Sequence, residues 1–103
     1  MSAKLTRDEV IARLKSAEPQ LRARGVGALY LYGSYARDEA RDESDIDVFV
    51  EASTRDFYDL SPYMGAFFDI QEVFPEQQVG YTTKRAFSPH VRVNAERDAI
   101  RVF

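Results

Sequence analysis

Residues 29–51 read LYLYGSYARDEARDESDIDVFVE. The run up to Tyr32 is strand-forming, breaks at Gly33-Ser34, crosses a charged stretch and returns to Ile46, Val48 and Val50, which alternate as a second strand. Side chains alternate along a strand, so Asp45 and Asp47 share one face while Ile46, Val48 and Val50 line the other. Two carboxylates one residue apart repel each other, and a divalent cation removes that repulsion. Mg²⁺ takes hard oxygen ligands and is commonly held by one or two carboxylates together with substrate phosphates. Gly33 and Ser34 offer the complementary half of such a site. Glycine lets backbone approach an anion closely, and the serine hydroxyl and successive amides can donate to phosphate oxygens. A helix opening at about Tyr35 would add a favourable dipole. Phosphate and metal on adjacent strands is the layout of metal-assisted phosphoryl chemistry. Gly-Ser after a strand is ordinarily a turn, and Asp-x-Asp ordinarily a solvated strand end. Their combination, ten residues apart, carries the information.

Working outward, Thr6 and Glu9 form a capping box, and Val10, Leu14, Ala17 and Leu21 follow at helical spacing. Pro19 breaks that pattern near Glu18, so a short second helix is expected to about Arg24, ended by Gly25. Val26 to Tyr32 reads as a buried strand, and Gly33 to Glu43 as a loop or short helix. Phe57 to Phe74 reads as a helix weakened by Pro62 and Gly65 and stopped by Pro75. Val79 to Thr83 reads as a short strand, and Ser88-Pro89 as the cap and first position of a last helix running towards Phe103. The order helix, helix, strand, strand, helix, strand, helix is that of an α/β or α+β domain, a small sheet with helices packed on it.

At 103 residues there is room for one core, so residues 1–103 are expected to form a single domain. The composition, 45% hydrophobic and 30% charged, is that of a globular protein. Without cysteine, neither a disulfide framework nor a Cys-ligated metal is available, which fits a reducing cytoplasm. No apolar run is long enough to span a membrane, and charges occupy the first two dozen residues, where a leader peptide would need apolar ones. The formal net charge is −3, with basic ends and an acidic middle. A duplex-binding protein would show a broad basic face, so nucleic acid is not the expected partner.

The string GS, ten residues, then DID resembles the signature of the DNA polymerase β-like nucleotidyltransferases. The fuller stretch, with GSYAR and SDIDVFVE, is similar to their minimal-nucleotidyltransferase branch, which is often encoded beside HEPN-domain ribonuclease toxins. The resemblance covers nearly the whole chain, including QQVGYTT and RAFSPHVR. It implies a short mixed sheet, Mg²⁺ with two metal ions possible, and a nucleoside triphosphate substrate. The implied reaction transfers a nucleoside monophosphate, AMP from ATP, with loss of pyrophosphate. It also implies a HEPN toxin as acceptor and partner, with this chain as antitoxin. Position by position, Gly33 and Ser34 would hold the triphosphate, Asp45 and Asp47 would be catalytic and bind metal, and Arg37 would neutralise phosphate.

The chain departs from the branch at two positions. Asp38 stands where the branch usually has glycine. Gly80 stands where a third carboxylate is expected, on the face opposite Val79 and Tyr81. Asp69 falls about a helix too early to replace it, and Glu51, Glu72 and Glu76 would serve only if the fold delivered them. An enzyme, a binding pseudoenzyme that neutralises its partner by contact, and a stand-alone nucleotide-binding regulatory domain are the readings this leaves open. Among the remaining residues, Tyr35 could stack on a nucleobase or meet a partner, and Tyr30 and Tyr32 are expected to pack in the sheet. His90 is expected to be exposed. Lys84 and Arg85 are expected to be a solvated pair, unless they meet phosphate or partner.

Overall fold

A computed structural model describes residues 5–41 and 44–103. Asp42 and Glu43, the end of the expected loop or short helix, lie outside the described residues. The elements are α1 (Arg7–Ser16), α2 (Glu18–Arg24), β1 (Val26–Tyr32), α3 (Gly33–Ala36), β2 (Ile46–Ala52), α4 (Leu60–Glu72), β3 (Val79–Thr83), α5 (Pro89–Asp98) and β4 (Ile100–Arg101). Short 3₁₀ turns at Arg55–Tyr58 and Lys84–Ala86 join them.

The capping box forms as expected: the Glu9 amide donates to Thr6 Oγ1 at 3.1 Å, and the Thr6 amide donates to Glu9 Oε1 at 3.2 Å. Pro19 does interrupt the helical run, and it sits in the first turn of α2, where its missing N–H has no helical partner to lose. Gly25 ends α2. The expected helix from Phe57 to Phe74 divides: Asp59 is extended, and the α-helix proper opens at Leu60 and ends at Glu72. Gln71 then organises the exit, its Nε2 donating to the Phe74 and Gln77 carbonyls at 2.8 and 2.7 Å. Gly65, which weakens α4 on propensity, leaves the space in which the Arg24 guanidinium lies as it reaches Asp69.

The sheet order is β3-β2-β1-β4. β1 runs antiparallel to β2 and β4, and β2 runs parallel to β3, so the sheet is mixed. A parallel pair needs a crossover, which α4 supplies. The last helix is shorter than expected: α5 stops at Asp98 and the chain turns into β4. The reason is non-local. The Val102 amide donates to the Leu29 carbonyl at 2.8 Å and the Leu29 amide to the Phe103 carbonyl at 3.1 Å, satisfying an edge of β1 that would otherwise stand unpaired.

Register sorts the side chains. Leu29 pairs with Val50 and Leu31 with Val48, and these residues join Ile46, Leu14, Leu21, Phe57, Ile70 and Phe74 in the main core. Tyr30 pairs with Phe49 and Tyr32 with Asp47 on the opposite face. There Tyr30 stacks on Phe49 with ring centroids 4.7 Å apart, and Phe87 packs edge-on against Phe49 at 5.3 Å and Tyr32 at 5.5 Å. Tyr30 and Tyr32 therefore pack on the sheet, as expected. No helix among the described residues is long and apolar enough to cross a membrane.

Candidate active site

β1 delivers Gly33-Ser34 at its C-terminal end, and beside it Asp45 immediately precedes β2 while Asp47 is the second residue of that strand. Gly33 takes φ +76°, a left-handed conformation open to glycine at little steric cost, and this turns the chain directly from strand into α3. On the other side, Asp47 pairs with Gly80 of β3. The Asp47 carboxylate lies between the two glycines. A Cβ at position 33 would stand 2.5 Å from Oδ2, and one at position 80 would stand 2.6 Å from Oδ1. Both glycines are therefore steric conditions for the present setting of Asp47.

Asp45 is exposed and Asp47 half-buried. Burial, and then the charge of Asp45, push the Asp47 carboxyl above the usual aspartate range, while Arg37 acts in the opposite direction. The same neighbourhood raises the Tyr32 phenol, first through burial and then through the charge of Asp47. Among the described residues, the side chains of Asp45 and Asp47 have no hydrogen bond or ion pair. Arg37 is exposed and pairs with Glu39 at 3.1 Å and Asp98 at 3.9 Å. Asp38, where the family resemblance puts glycine, takes φ +59°. The left-handed turn that favours glycine is thus kept by an aspartate, one of the residue types that tolerate it.

The structure answers where the other acids lie. Glu51 shares the face of Asp47, but Phe49 stands between them and Lys84 holds Glu51 at 3.1 Å. Asp69 is bound by Arg24 at 2.5 Å and, with Glu72, lines a separate cleft beside Ser16 and Gln20. Glu76 is exposed in the turn after α4. Among the described residues, no group of three or more His, Asp or Glu side chains could hold a metal ion. His90 is exposed in the first turn of α5, as expected.

Tyr35 is a correction. Only 3% exposed and part of the main core, it is not available to stack on a nucleobase. Phe49 and Phe87, not among the residues expected at the site, floor the carboxylate face. Phe49 shares the parity of Asp47, and that signal was there to find.

A sequence profile of the family described as Polymerase beta, Nucleotidyltransferase matches residues 14–87, a span running from α1 through both glycines and both aspartates. The chain belongs to this nucleotidyltransferase family. Within it, the chain is 36% identical over 69 residues to the protein adenylyltransferase MntA of Thermococcus cleftensis, covering 62% of this chain and 70% of that one. It is 32% identical over 77 residues to a candidate protein adenylyltransferase of Methanocaldococcus jannaschii, covering 75% of this chain and 77% of the relative.

The nucleotidyltransferase fold is also seen in solved structures. A candidate minimal nucleotidyltransferase superposes with a TM-score of 0.79 at 22% identity, covering 96% of this chain and 98% of that one. A toxin–antitoxin structure with AMP-PNP gives 0.67 at 18% identity, covering 86% of this chain and 72% of that one. An MntA–HpeT toxin–antitoxin, in which two aspartates one residue apart are replaced by glutamate, gives 0.62 at 17% identity, covering 96% and 73%.

Proposed function

We propose that this chain is a Mg²⁺-dependent nucleotidyltransferase that moves AMP from ATP to a side chain of a HEPN-domain toxin, acting in the cytoplasm as its antitoxin. The observation that carries the reading is the junction of Gly33-Ser34 with Asp45 and Asp47 at the adjoining ends of β1 and β2. Two further facts support it. Relatives at 32–36% identity are named protein adenylyltransferases, and solved structures of the same fold include a toxin–antitoxin with AMP-PNP. The pair of aspartates replaced in the MntA–HpeT structure has the spacing of Asp45 and Asp47.

The residues fit a hard cation. Asp47 is a half-buried carboxylate beside a second carboxylate, and among the described residues neither side chain has an ion-pair partner, the Arg37 charge acting on Asp47 without a salt bridge. Asp45 and Asp47 would hold the ion, which supplies charge neutralisation along the triphosphate as phosphorus–oxygen bonds exchange. In our reading the Gly33 and Ser34 amides and the Ser34 hydroxyl donate to triphosphate oxygens and fix the α-phosphorus in line with the acceptor. Arg37, at the mouth of the site, would add positive charge against the phosphates. The acceptor oxygen forms its bond to the α-phosphorus as the bond to the β-phosphate oxygen breaks. Pyrophosphate leaves, and the acceptor proton passes to solvent or to a base.

A second reading rests on Gly80. With no acid at that position, the chain could bind Mg-nucleotide and its partner without transferring. Intact-mass measurement of the partner protein, after incubation with this chain, Mg²⁺ and each triphosphate in turn, tests the proposal. A gain of one nucleoside monophosphate, greatest with ATP, is expected. An unmodified partner that nonetheless forms a stable complex would select the binding reading.

A further inference from the structure

At the end of β2 far from Asp47, Lys84, Arg85 and Arg92 converge on a cleft of ≈ 300 Å³ that Glu51 and Tyr58 also line. The three cations are not equivalent. Lys84 is shared between Glu51 at 3.1 Å and Glu96 at 3.2 Å, so its charge is met. The guanidinium of Arg85 lies over the Tyr58 ring, 4.8 Å from its centroid, and has no carboxylate partner among the described residues. Arg92 donates through Nη2 to the Lys84 carbonyl at 3.1 Å, while its buried Nε has no hydrogen-bond partner among the described residues. Two guanidinium groups thus border one cleft with no carboxylate partner of their own among the described residues, the Glu51 carboxylate there being engaged by Lys84.

We infer that this cleft is a binding site for a phosphate dianion, distinct from the site at Asp45 and Asp47. Taken with Lys84, Glu51 and Glu96, the two guanidinium groups leave the cluster with a net positive charge that favours an anion, and guanidinium forks suit tetrahedral phosphate oxygens in a way a single ammonium does not. Arg85 is held in place by the Tyr58 ring, and Arg92 by the Lys84 carbonyl, so both arrive partly ordered. The site is separate because Glu51 lies four residues beyond Asp47 along β2, about 13 Å at the usual strand rise, with Phe49 between them. An arriving phosphate also competes with Glu51 for Lys84, so occupancy loosens that pair.

The test is a titration of inorganic phosphate into the full chain in EDTA, read by amide NMR shifts. Saturable shifts are expected at Lys84, Arg85 and Arg92, with Gly33 and Ser34 unmoved. Arg85→Gln, at an exposed turn, should weaken binding about tenfold or more. Arg92→Gln should do likewise; where it unfolds the chain, Arg85→Glu replaces it, with binding lost. A phosphoserine peptide and its serine counterpart identify the source. Tighter binding of the phosphopeptide assigns the group to a partner polypeptide, and an affinity no better than inorganic phosphate assigns it to the free anion; either supports the site. Absence of saturable shifts at 84–92, shifts at Gly33 and Ser34 instead, or unchanged affinity in Arg85→Gln would overturn it.

Discussion

Leu31 and Tyr32 are consecutive residues of β1, and the surroundings on either side of them differ in kind. Leu31 is fully buried beneath the helices, in a core that also holds Leu14, Val48, Ile70 and Phe74. Tyr32 shares the other face with Asp47, Phe49 and Phe87, where aromatic rings floor a strip of carboxylates flanked by two glycines. The covered face is close-packed, and a change in volume there is felt by the whole fold. The other face carries the Asp47 carboxylate close to that of Asp45, with no salt bridge to either among the described residues, an arrangement that opposes folding. In the proposed reading, stability and chemistry are thus divided between the two faces of one four-stranded sheet.

The division can be broken first on the covered face. Phe74→Ala removes a fully buried ring and should destabilise the chain by about 3–5 kcal/mol in denaturant titrations. On the carboxylate face, Gly80→Asp should leave the fold intact, because the atom it displaces is the mobile end of Asp47. By offering a third acid, it should raise nucleotidyl transfer by about 10²-fold in single-turnover assays. Gly80→Ala displaces Asp47 equally without adding an acid, and is expected to give no such rise.

Asp47→Asn sharpens the comparison through pH. Burial and Asp45 raise the Asp47 carboxyl in the folded chain above its unfolded value. Its ionised form therefore opposes folding at neutral pH, and that opposition fades as pH falls through the raised value towards the unfolded one. The variant should be more stable than the parent at neutral pH, with the gain shrinking in the acid range. Thermal melts across pH would show it, and a gain that grows on acidification would oppose this account of the face. The smallest effect belongs to Asp38→Gly. It relieves a left-handed aspartate but adds freedom to the unfolded chain, so melts should move by no more than about 0.5 kcal/mol equivalent.

Local rules carried much of this into view from the sequence. The Thr6–Glu9 box, the proline opening α2 and the strand parity of residues 46–50 are all short-range signals, and each appears in the structure. The parity that turns Gly80 away from Val79 was likewise readable, and Gly80 does face Asp47. What escaped is non-local. β4 is only two residues long, and its partner lies some seventy positions earlier, so no periodicity announces it. Tyr35 sits in a four-residue helix, too short to show which face is buried, and the core claims it. The seating of Asp47 between Gly33 and Gly80 joins three separate segments, a relation that only coordinates can show.

The central claim is that Asp45 and Asp47, beside Gly33-Ser34, hold the metal-bound nucleotide. Calorimetric titration of Mg-ATP into the parent chain and into the double variant Asp45→Asn, Asp47→Asn tests it most directly. The account predicts measurable binding by the parent that requires Mg²⁺, and its loss in a variant that melts no lower than the parent. Unchanged Mg-ATP affinity in the folded double variant would contradict it.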